Sequence, residues 1–396
     1  MAFVVASLAL YLAAPTTIRR WVMPAASGLL LASLLSPFAV ATYVVLVPGV
    51  YGLGIASQPR RRVRHVAFYG GVAALLVLFV VLRISAGPTS GEGDSSTLLP
   101  TPVVLGYSYF LFRGLNFLIG SYVGTIEQPQ GLAYANLMLF FPSFSAGPVT
   151  RYPIHAEDLA RGARPDAPMA FEAAHRVLDG LIKKTVFVPT LAQFSLISFD
   201  RPTEVSGVGA AWIATLTFYL YLYVDFSAYT DIAIGIALAF GCRLPENFDY
   251  PILKSNLLRF WESWHMSLTS WIRDHVFTPL TFKLIDAGGA RVQGAANTAS
   301  YVLTMTLFGA WHSFSAAYLV FGLIQGVALA ASHAAISARK RHLGARANRF
   351  IEDSLVTRIC GAVLVNGFVA VTLILFRFDI SDSLWLVRFM FTGARA

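Results

Sequence analysis

Residues 297–333 read NTASYVLTMTLFGAWHSFSAAYLVFGLIQGVALAASH, which is two apolar runs joined at Trp311 and His312. No aspartate or glutamate occurs between Asp286 and Glu352, so the runs carry no acidic charge. Runs of this kind approach the length of an apolar helix that crosses a bilayer. The stretch therefore predicts two consecutive membrane helices, with an ionisable imidazole between them.

The remainder of the chain has the same apolar character. Its 396 residues are 56% hydrophobic and 13% charged, and the mean hydropathy is +0.62. Soluble domains carry about 25% charged residues, roughly twice as many. Apolar runs recur along the chain without the strand-and-turn rhythm of a membrane barrel. The composition therefore predicts an all-α polytopic membrane protein, with no soluble catalytic domain outside the apolar segments.

Hydropathy predicts about eleven membrane passages or half-passages. The predicted segments are 2–16, 22–35, 38–55, 65–82, 103–123, 185–198, 210–223, 226–241, 297–311, 314–333 and 356–376, and two incomplete ones accompany them, 134–149 and the half-polar 379–392. Segment 134–149 is short and interrupted by proline and glycine, which favours a re-entrant element. Residues 151–176 are polar and predict a loop with a surface helix. Residues 253–286 have apolar residues at helical spacing between charges, which indicates an amphipathic helix lying in the interface.

The charged residues predict an orientation in the membrane. Thirty Lys and Arg against 21 Asp and Glu give a net charge of +9. Arginines near positions 19–20 and 60–64 fall on one side of the predicted helices, and the acidic loop 85–96 falls on the other. Basic loops are typically cytoplasmic, so the N-terminus is expected outside, as a retained first helix. The basic surplus also suits an acidic partner, such as an acyl-carrier protein or a phosphorylated donor.

Two histidines lie where an ionisable side chain is costly. His312 is flanked by apolar residues on both sides, and desolvation there favours the neutral imidazole, which can accept a proton from a hydroxyl. A core histidine bonded to a backbone carbonyl explains the same pattern. His265 lies on the amphipathic segment, where it could simply face the lipid headgroups. The other histidines are expected at the surface: His65, His155, His175, His275, His333 and His342.

The remaining polar residues supply no nucleophile or metal site. Asp225 and Asp231 flank a predicted turn within YLYVDFSAYTDIAIG, where they suit proton relay or, more simply, bonds to neighbouring groups. Cys242 and Cys360 have no partner spacing for a disulfide or zinc. No G-x-S-x-G elbow or phosphate loop occurs. The available chemistry is proton abstraction by histidine, which suffices when the donor is already activated, as a thioester is.

Several stretches occur in the order of one known family. Residues 223–280 read YVDFSAYTDIAIGIALAFGCRLPENFDYPILKSNLLRFWESWHMSLTSWIRDHVFTPL, and they are accompanied by LGYSYFLFRGLNFLIGSYVG (105–124), FFPSFSAGPVTRY (140–152), FGAWHSFSAAYLVFGLIQG (308–326) and LILFRFDISDSLWLVRFMFTG (373–393). This set resembles the membrane-bound O-acyltransferases, in particular the bacterial branch of alginate O-acetylases and teichoic-acid D-alanyl transferases. The resemblance covers most of the chain from residue 105, so 1–396 is expected to be one membrane domain with a family-like core at 105–396 and less typical helices at 1–104.

The resemblance implies a fold and a reaction. The family fold is a ring of tilted helices around a central funnel, which donor and acceptor enter from opposite faces. The family's catalytic base corresponds to His312, and its earlier motif histidine corresponds to His265, near the donor side. Other residues would line the tunnel: Trp261, Trp264, Trp311, Asn247 and Asp225. No metal or tightly bound cofactor is implied, and the acyl thioester of coenzyme A or a carrier protein is a co-substrate.

The implied function is transfer of a short acyl group, acetyl or D-alanyl, to a hydroxyl of an envelope polysaccharide, a teichoic acid or a relay acyltransferase. The expected location is the bacterial inner membrane, with the bilayer as a partner and no nucleic acid. This chain departs from the family pattern at Glu262, Ser263, residues 279–282 and Ser313. Two alternatives remain open: a proton-coupled transporter or flippase of envelope precursors, and an inactive membrane scaffold. Inverted repeats would favour the transporter, and the sequence has none.

Overall fold

The described part of the chain is helical. In a computed structural model, residues 2–85 and 106–394 are described, and these contain α-helices and short 3₁₀ and π turns but no β-strand. Five helices are long and apolar enough to cross a membrane: Pro37–Ala56, Arg64–Ile84, Val208–Ala239, Ala316–Gly344 and Leu355–Phe376. The predicted all-α membrane class is confirmed. The count of eleven passages stays a prediction, and the acidic loop 85–96 lies outside the described residues.

Two compact units divide the chain, and the first comprises Met1–Leu181 and Tyr229–Glu246. Its helices are α1 Ala2–Ala13, α2 Thr16–Leu34, α3 Pro37–Ala56, α4 Arg64–Ser85, α5 Tyr107–Val123, α6 Gly131–Leu139, α7 Tyr152–Arg161 and α8 Ala167–Ile182. Residues 151–176, predicted as a loop with one surface helix, thus form α7 and the first part of α8. Segment 134–149 is short and broken, as predicted: α6 ends at Leu139 and a 3₁₀ turn follows at Phe141–Ser143.

Arg19 is buried in the first unit, although it belongs to a basic pair that the sequence placed between two predicted helices. Its guanidinium donates to the carbonyl oxygens of Tyr11, Ala14 and Gly162, at 3.1, 2.7 and 2.8 Å. Tyr11 and Ala14 lie where α1 ends, and Gly162 follows α7. The last carbonyls of a helix have no partner within the helix. Arg19 therefore supplies donors to two helix ends and joins them.

Replacing Arg19 with lysine is expected to destabilise the protein by about 2 kcal/mol, because an ammonium group cannot reproduce the planar fork that reaches three carbonyls. The neighbouring Arg20 is exposed, so Arg20→Lys is the matched control. The thermal unfolding midpoint of the detergent-purified protein measures the effect. Equal midpoints for the two variants would contradict the bracing role of Arg19.

His155 is also buried in the first unit, with 1% of its surface exposed. The prediction of a surface histidine is wrong here, because α7 turns this side chain inward against Phe140, at 4.9 Å between ring centroids. The nearby buried Arg113 has its own acceptors, the carbonyl oxygen of Leu137 at 2.8 Å and the hydroxyl of Ser143 at 2.8 Å. Polar groups of α5 and α7 are thus part of this core.

The second unit comprises Ile182–Ala228 and Asn247–Ala396. Its helices are α9 Val188–Phe194, α10 Val208–Ala239, α11 Leu257–Ser263, α12 Met266–Ile272, α13 Thr278–Gly288, α14 Gln293–His312, α15 Ala316–Asp353, α16 Leu355–Thr372 and α17 Ile380–Thr392. Helix α10 begins in this unit and continues into the first from Tyr229. Segments 297–311, 314–333, 356–376 and 379–392 correspond to α14 through α17. Helix α15 extends well beyond its predicted end at residue 333, with non-helical backbone angles at Gly344.

Helix α10 corrects the prediction of two passages, 210–223 and 226–241, joined by a turn. It is one helix of 32 residues, and the supposed turn around Asp225 contains no glycine or proline to interrupt it. The two carboxylates are tolerated because each has a basic partner. Asp225 pairs with Lys184 in the second unit, and Asp231 pairs with Arg176, at 2.6 Å, in the first. Structural use of both aspartates explains their presence in an apolar helix.

Two π turns have similar local sequences, each with Val-Phe two residues before a proline. Residues 182–189 read IKKTVFVP and residues 272–279 read IRDHVFTP, and the π turns occupy Lys183–Phe187 and Arg273–Phe277. A proline ring inside an α-helix clashes with the carbonyl four residues earlier, and a wider turn relieves that clash. The predicted passage 185–198 is therefore a continuation of α8 through the first π turn into α9.

Helices α14 and α15 pack closely because glycines face the contact. A Cβ atom at Gly309 would collide with the carbonyl of Tyr318, and one at Gly322 with the carbonyl of Met305. At Gly326 it would lie 2.7 Å from the Cα of Val302. Gly322 and Gly326 are four residues apart, the small-residue spacing that lets membrane helices approach each other. This contact fixes the end of α14, where His312 lies.

Candidate active site

His265 lies at a break in the segment that was predicted as one amphipathic helix, 253–286. Helix α11 ends at Ser263, α12 begins at Met266, and His265 between them has left-handed backbone angles, φ 47° and ψ 49°. Such a conformation costs an L-residue roughly 1–2 kcal/mol. Only 3% of its surface is exposed. The interpretation of His265 as a headgroup-facing residue is therefore wrong: the break turns its side chain into the unit.

Asn247 holds the break in place. Its side-chain oxygen accepts from the Ser267 hydroxyl at 2.6 Å, from the Ser267 backbone N–H at 3.4 Å and from Nδ1 of His265 at 3.3 Å. Its carbonyl oxygen accepts from the Met266 N–H at 2.9 Å. A backbone N–H only donates, so the amide oxygen faces these groups and the hydrogen of the neutral imidazole lies on Nδ1. The lone pair of His265 is consequently on Nε2.

Aromatic rings surround the His265 imidazole. The centroid of Phe226 lies 4.7 Å from it, and that of Trp311 lies 6.5 Å away. His265 is outside the five candidate spanning helices. Burial, reinforced by the nearby His312, lowers the pKa of His265 well below its ordinary value. Its imidazole is therefore neutral at physiological pH and suited to accept a hydrogen bond at Nε2.

His312 is the last residue of α14, next to the same tryptophan. Its ring lies 4.5 Å from Trp311 and 4.9 Å from Phe308, between centroids, and Phe376 lies 5.2 Å away. The imidazole is half-buried, so a substrate can reach it without unfolding the site. The two histidines singled out from the sequence, 47 positions apart, thus both lie near Trp311, within one unit.

The other predicted tunnel residues divide into two groups. Trp264 packs between Phe260 and Tyr219, at 5.5 and 6.0 Å between centroids, and Trp261 lies 5.4 Å from Phe308. Asn247 and Trp311 contact His265 directly. The role of these residues in lining a substrate tunnel stays a prediction. Asp225 differs, because its carboxylate is one-third exposed and paired with Lys184. Its predicted tunnel role has no support from these contacts.

The sequence interpretation missed Gln325 on α15. This side chain is fully buried; its oxygen accepts from the Trp261 indole N–H at 3.2 Å, and its nitrogen donates to the Thr372 hydroxyl at 2.8 Å. It therefore fixes Trp261 against α15 and α16. The sequence did contain an indication of it: Gln325 is the one amide in the apolar run FGLIQGVAL, and a polar side chain in such a run requires hydrogen-bond partners inside the protein.

No metal site was predicted. Among residues 2–85 and 106–394, no three His, Cys, Asp or Glu side chains are grouped as metal ligands. Cys242 is buried and Cys360 is exposed. The residues around Trp311 are aromatic rings, two imidazoles and one amide. They suit hydrogen bonding and proton transfer to an organic substrate.

Replacing Asn247 with alanine is expected to destabilise the protein by about 2–3 kcal/mol, because three buried donors lose their acceptor. The nearby Asp249 forms an exposed ion pair with Lys254, which contributes under about 1 kcal/mol, so Asp249→Asn is the control. Thermal unfolding in detergent and far-ultraviolet circular dichroism measure the two effects. A stability loss no larger in Asn247→Ala than in Asp249→Asn would remove Asn247 from this role.

The residues of this site belong to a range that matches a known protein family. Residues 104–343 match the sequence model of the membrane-bound O-acyltransferase family. The matched range is more than half of the chain, and it includes both histidines, the three tryptophans and Asn247.

Individual relatives have related activities in their names. The chain is 32% identical over 255 residues to a probable alginate O-acetylase of Pseudomonas syringae pv. tomato, covering 64% of this chain and 47% of that protein. It is 28% identical over 226 residues to the teichoic acid D-alanyltransferase of Bacillus subtilis, covering 56% and 57%. It is 31% identical over 209 residues to the peptidoglycan O-acetyltransferase of Helicobacter pylori, covering 51% and 37%. The chain spans about half the length of the curated relatives it matches.

Proposed function

Because the chain belongs to the membrane-bound O-acyltransferase family, we propose that it transfers a short acyl group from a thioester to a hydroxyl of the cell envelope. One observation carries the proposal: His265 and His312, distant in sequence, both lie near Trp311 in a site with aromatic walls. Two imidazoles in one site supply proton transfer, and the aromatic walls exclude water that would hydrolyse the donor.

His312 is the general base in this proposal. Its imidazole takes the proton of the acceptor hydroxyl while the oxygen attacks the thioester carbonyl. The carbon–sulfur bond then breaks, and the proton passes to the leaving thiolate. One ester and one thiol form from one thioester and one alcohol. The half-buried position of His312 supports this role, because the base must reach both the donor and the acceptor.

His265 orients the donor in this proposal. Its Nδ1–H is held by Asn247, so the lone pair of the neutral imidazole is on Nε2. The left-handed backbone at this residue is maintained by the surrounding contacts, and strain of this kind is concentrated at functional sites. A fixed neutral imidazole can accept a hydrogen bond from an amide or thiol group of the thioester donor and so position that donor.

The donor is a cytoplasmic acyl thioester, of coenzyme A or of an acyl-carrier protein, and the acyl group is acetyl or D-alanyl. The acceptor is a hydroxyl of an envelope polysaccharide, a teichoic acid or a relay acyltransferase at the outer face of the bacterial inner membrane. The names of the relatives support these classes, since they specify alginate, peptidoglycan and teichoic acid as acceptors and acetyl and D-alanyl as groups.

Deleting the gene and restoring it on a plasmid tests the proposal. Mild base releases ester-linked acyl groups from purified envelope polymers, and chromatography identifies the released acid. Loss of one acid in the deletion strain, with recovery on complementation, is expected. Unchanged ester content in all strains would contradict acyl transfer, and it would favour the scaffold alternative if the protein remains abundant in the membrane.

A further inference from the structure

An open cavity lies within the second unit, between α11, α12, the second π turn, α14 and α15. Its volume is about 130 Å³. Its walls are mainly apolar and aromatic, and the members that matter here are Trp261, Ile272, Phe277, Met305, Phe308 and Leu329.

The cavity is separated from the reaction site by two aromatic rings. Trp261 and Phe308 form part of its wall, and Phe308 also lies 4.9 Å from His312, between ring centroids. Neither histidine, nor Trp264 or Trp311, is among the lining residues. The cavity can therefore hold an occupant other than a substrate bound at the imidazoles.

The mouth of the cavity has two opposite charges. Glu262 and Arg273 are its exposed charged lining residues, and exposure places them at the opening. Arg273 also contacts the exposed Asp274, at 3.4 Å between Nε and Oδ1. The lining thus combines two exposed charges with apolar and aromatic walls, as an amphiphile combines a charged headgroup with an apolar chain.

A buried hydroxyl supplies a third feature. Thr304 lines the cavity and is 5% exposed, and its hydroxyl has no hydrogen-bond partner among the described residues. The threonine two positions along, Thr306, donates to the carbonyl oxygen of Val302 at 2.8 Å, as helical threonines commonly do. A buried hydroxyl without a partner is costly. A ligand with a carbonyl oxygen would satisfy it.

We propose that this cavity binds one chain of a zwitterionic phospholipid with a primary ammonium group, of the phosphatidylethanolamine class. The lipid phosphate lies at Arg273, the ammonium donates to Glu262, and an ester carbonyl accepts from Thr304. A purely anionic headgroup places unpaired negative charge beside Glu262. A quaternary ammonium has no N–H to donate to the carboxylate. Binding does not depend on acyl transfer, although the occupant contacts Trp261 and Phe308, which border the histidine site.

Lipid competition in nanodiscs tests the proposal. The full chain is reconstituted with mixtures of phosphatidylethanolamine, phosphatidylglycerol and phosphatidylcholine, and native mass spectrometry counts the lipids retained after release. One retained phosphatidylethanolamine per chain is expected, preferred about fivefold over each of the others, as one partly exposed charge contact provides. Equal retention of all three lipids by the wild type would overturn the assignment.

Two variants separate recognition of the lipid headgroup from binding of the lipid chain. Glu262→Gln is expected to abolish the preference while retaining a lipid, and Met305→Trp is expected to fill the cavity and remove the retained lipid. Asp286, an exposed carboxylate on α13, does not line the cavity, so Asp286→Asn is the matched control and keeps the preference. Loss of preference in Asp286→Asn, or its survival in Glu262→Gln, contradicts the site. If Met305→Trp fails to fold, Leu329→Phe narrows the same space.

Discussion

Replacing His312 with alanine is expected to lower the acyl-transfer rate by about 10²- to 10⁴-fold, the range that a general base contributes. The imidazole is at the end of α14, and its ring contacts involve Phe308, Trp311, Tyr318 and Phe376. Three of these rings have no proton acceptor, and a neutral tyrosine hydroxyl is a far weaker base than an imidazole. The rate of ester formation by purified protein in proteoliposomes, with a labelled thioester, measures the change.

His333 on α15 provides the control for this substitution. It is a half-buried histidine of the same unit, packed beside Tyr301 at 5.7 Å between ring centroids, and it is not among the rings around Trp311. His333→Ala is expected to keep the rate within about threefold, since it removes no catalytic group. Both variants are compared at equal membrane abundance and thermal midpoint. Full activity in His312→Ala would exclude His312 as the base.

Replacing His265 with asparagine is expected to reduce transfer by at least about 10²-fold while preserving the fold. Asparagine tolerates left-handed backbone angles, and its amide N–H₂ can donate to Asn247 as Nδ1 does. The acceptor atom at Nε2 is lost. Turnover and the apparent affinity for the thioester are measured separately, because an orienting residue for the donor affects both.

Comparison of three substitutions at position 265 separates the imidazole from the backbone. Glycine relaxes the left-handed conformation but removes the hydrogen bond to Asn247, and alanine removes the bond and retains the strain. Thermal stability is expected to fall in the order asparagine, glycine, alanine, with low activity in all three. An asparagine variant as active as the wild type would reduce His265 to a structural residue.

The helices were largely predictable because hydropathy alone specifies them. Segments 297–311 and 314–333 correspond to α14 and α15 within a few residues at the ends near His312. The break at His265 was not predictable in the same way, since apolar residues continue at helical spacing through it: Phe260, Trp264 and Leu268. The contacts that maintain the break come from Asn247, which is distant in sequence. Local periodicity contains no information about such a partner.

Charged residues were the less predictable part of the chain. Asp225 was assigned to the tunnel and a neighbouring turn was expected, yet Lys184 pairs with it and α10 is uninterrupted. His155 was expected at the surface and is buried against Phe140, and Arg19 of the basic pair is buried as well. Asp225 and Arg19 are stabilised by charge or hydrogen-bond partners from another part of the chain. Composition around a residue indicates its local polarity, whereas its partners become known only from the fold.

The glycines between α14 and α15 limit the substitutions that this protein can accept. Every other amino acid adds at least a Cβ atom, and at Gly309 and Gly322 that atom would occupy the position of a backbone carbonyl. A backbone carbonyl cannot change rotamer to make room, so no conservative replacement exists at either position. A library of single substitutions should therefore yield few functional variants at these two glycines. Gly294 belongs to α14 like Gly309, but a Cβ atom there meets open space, so many substitutions at Gly294 should leave the protein functional.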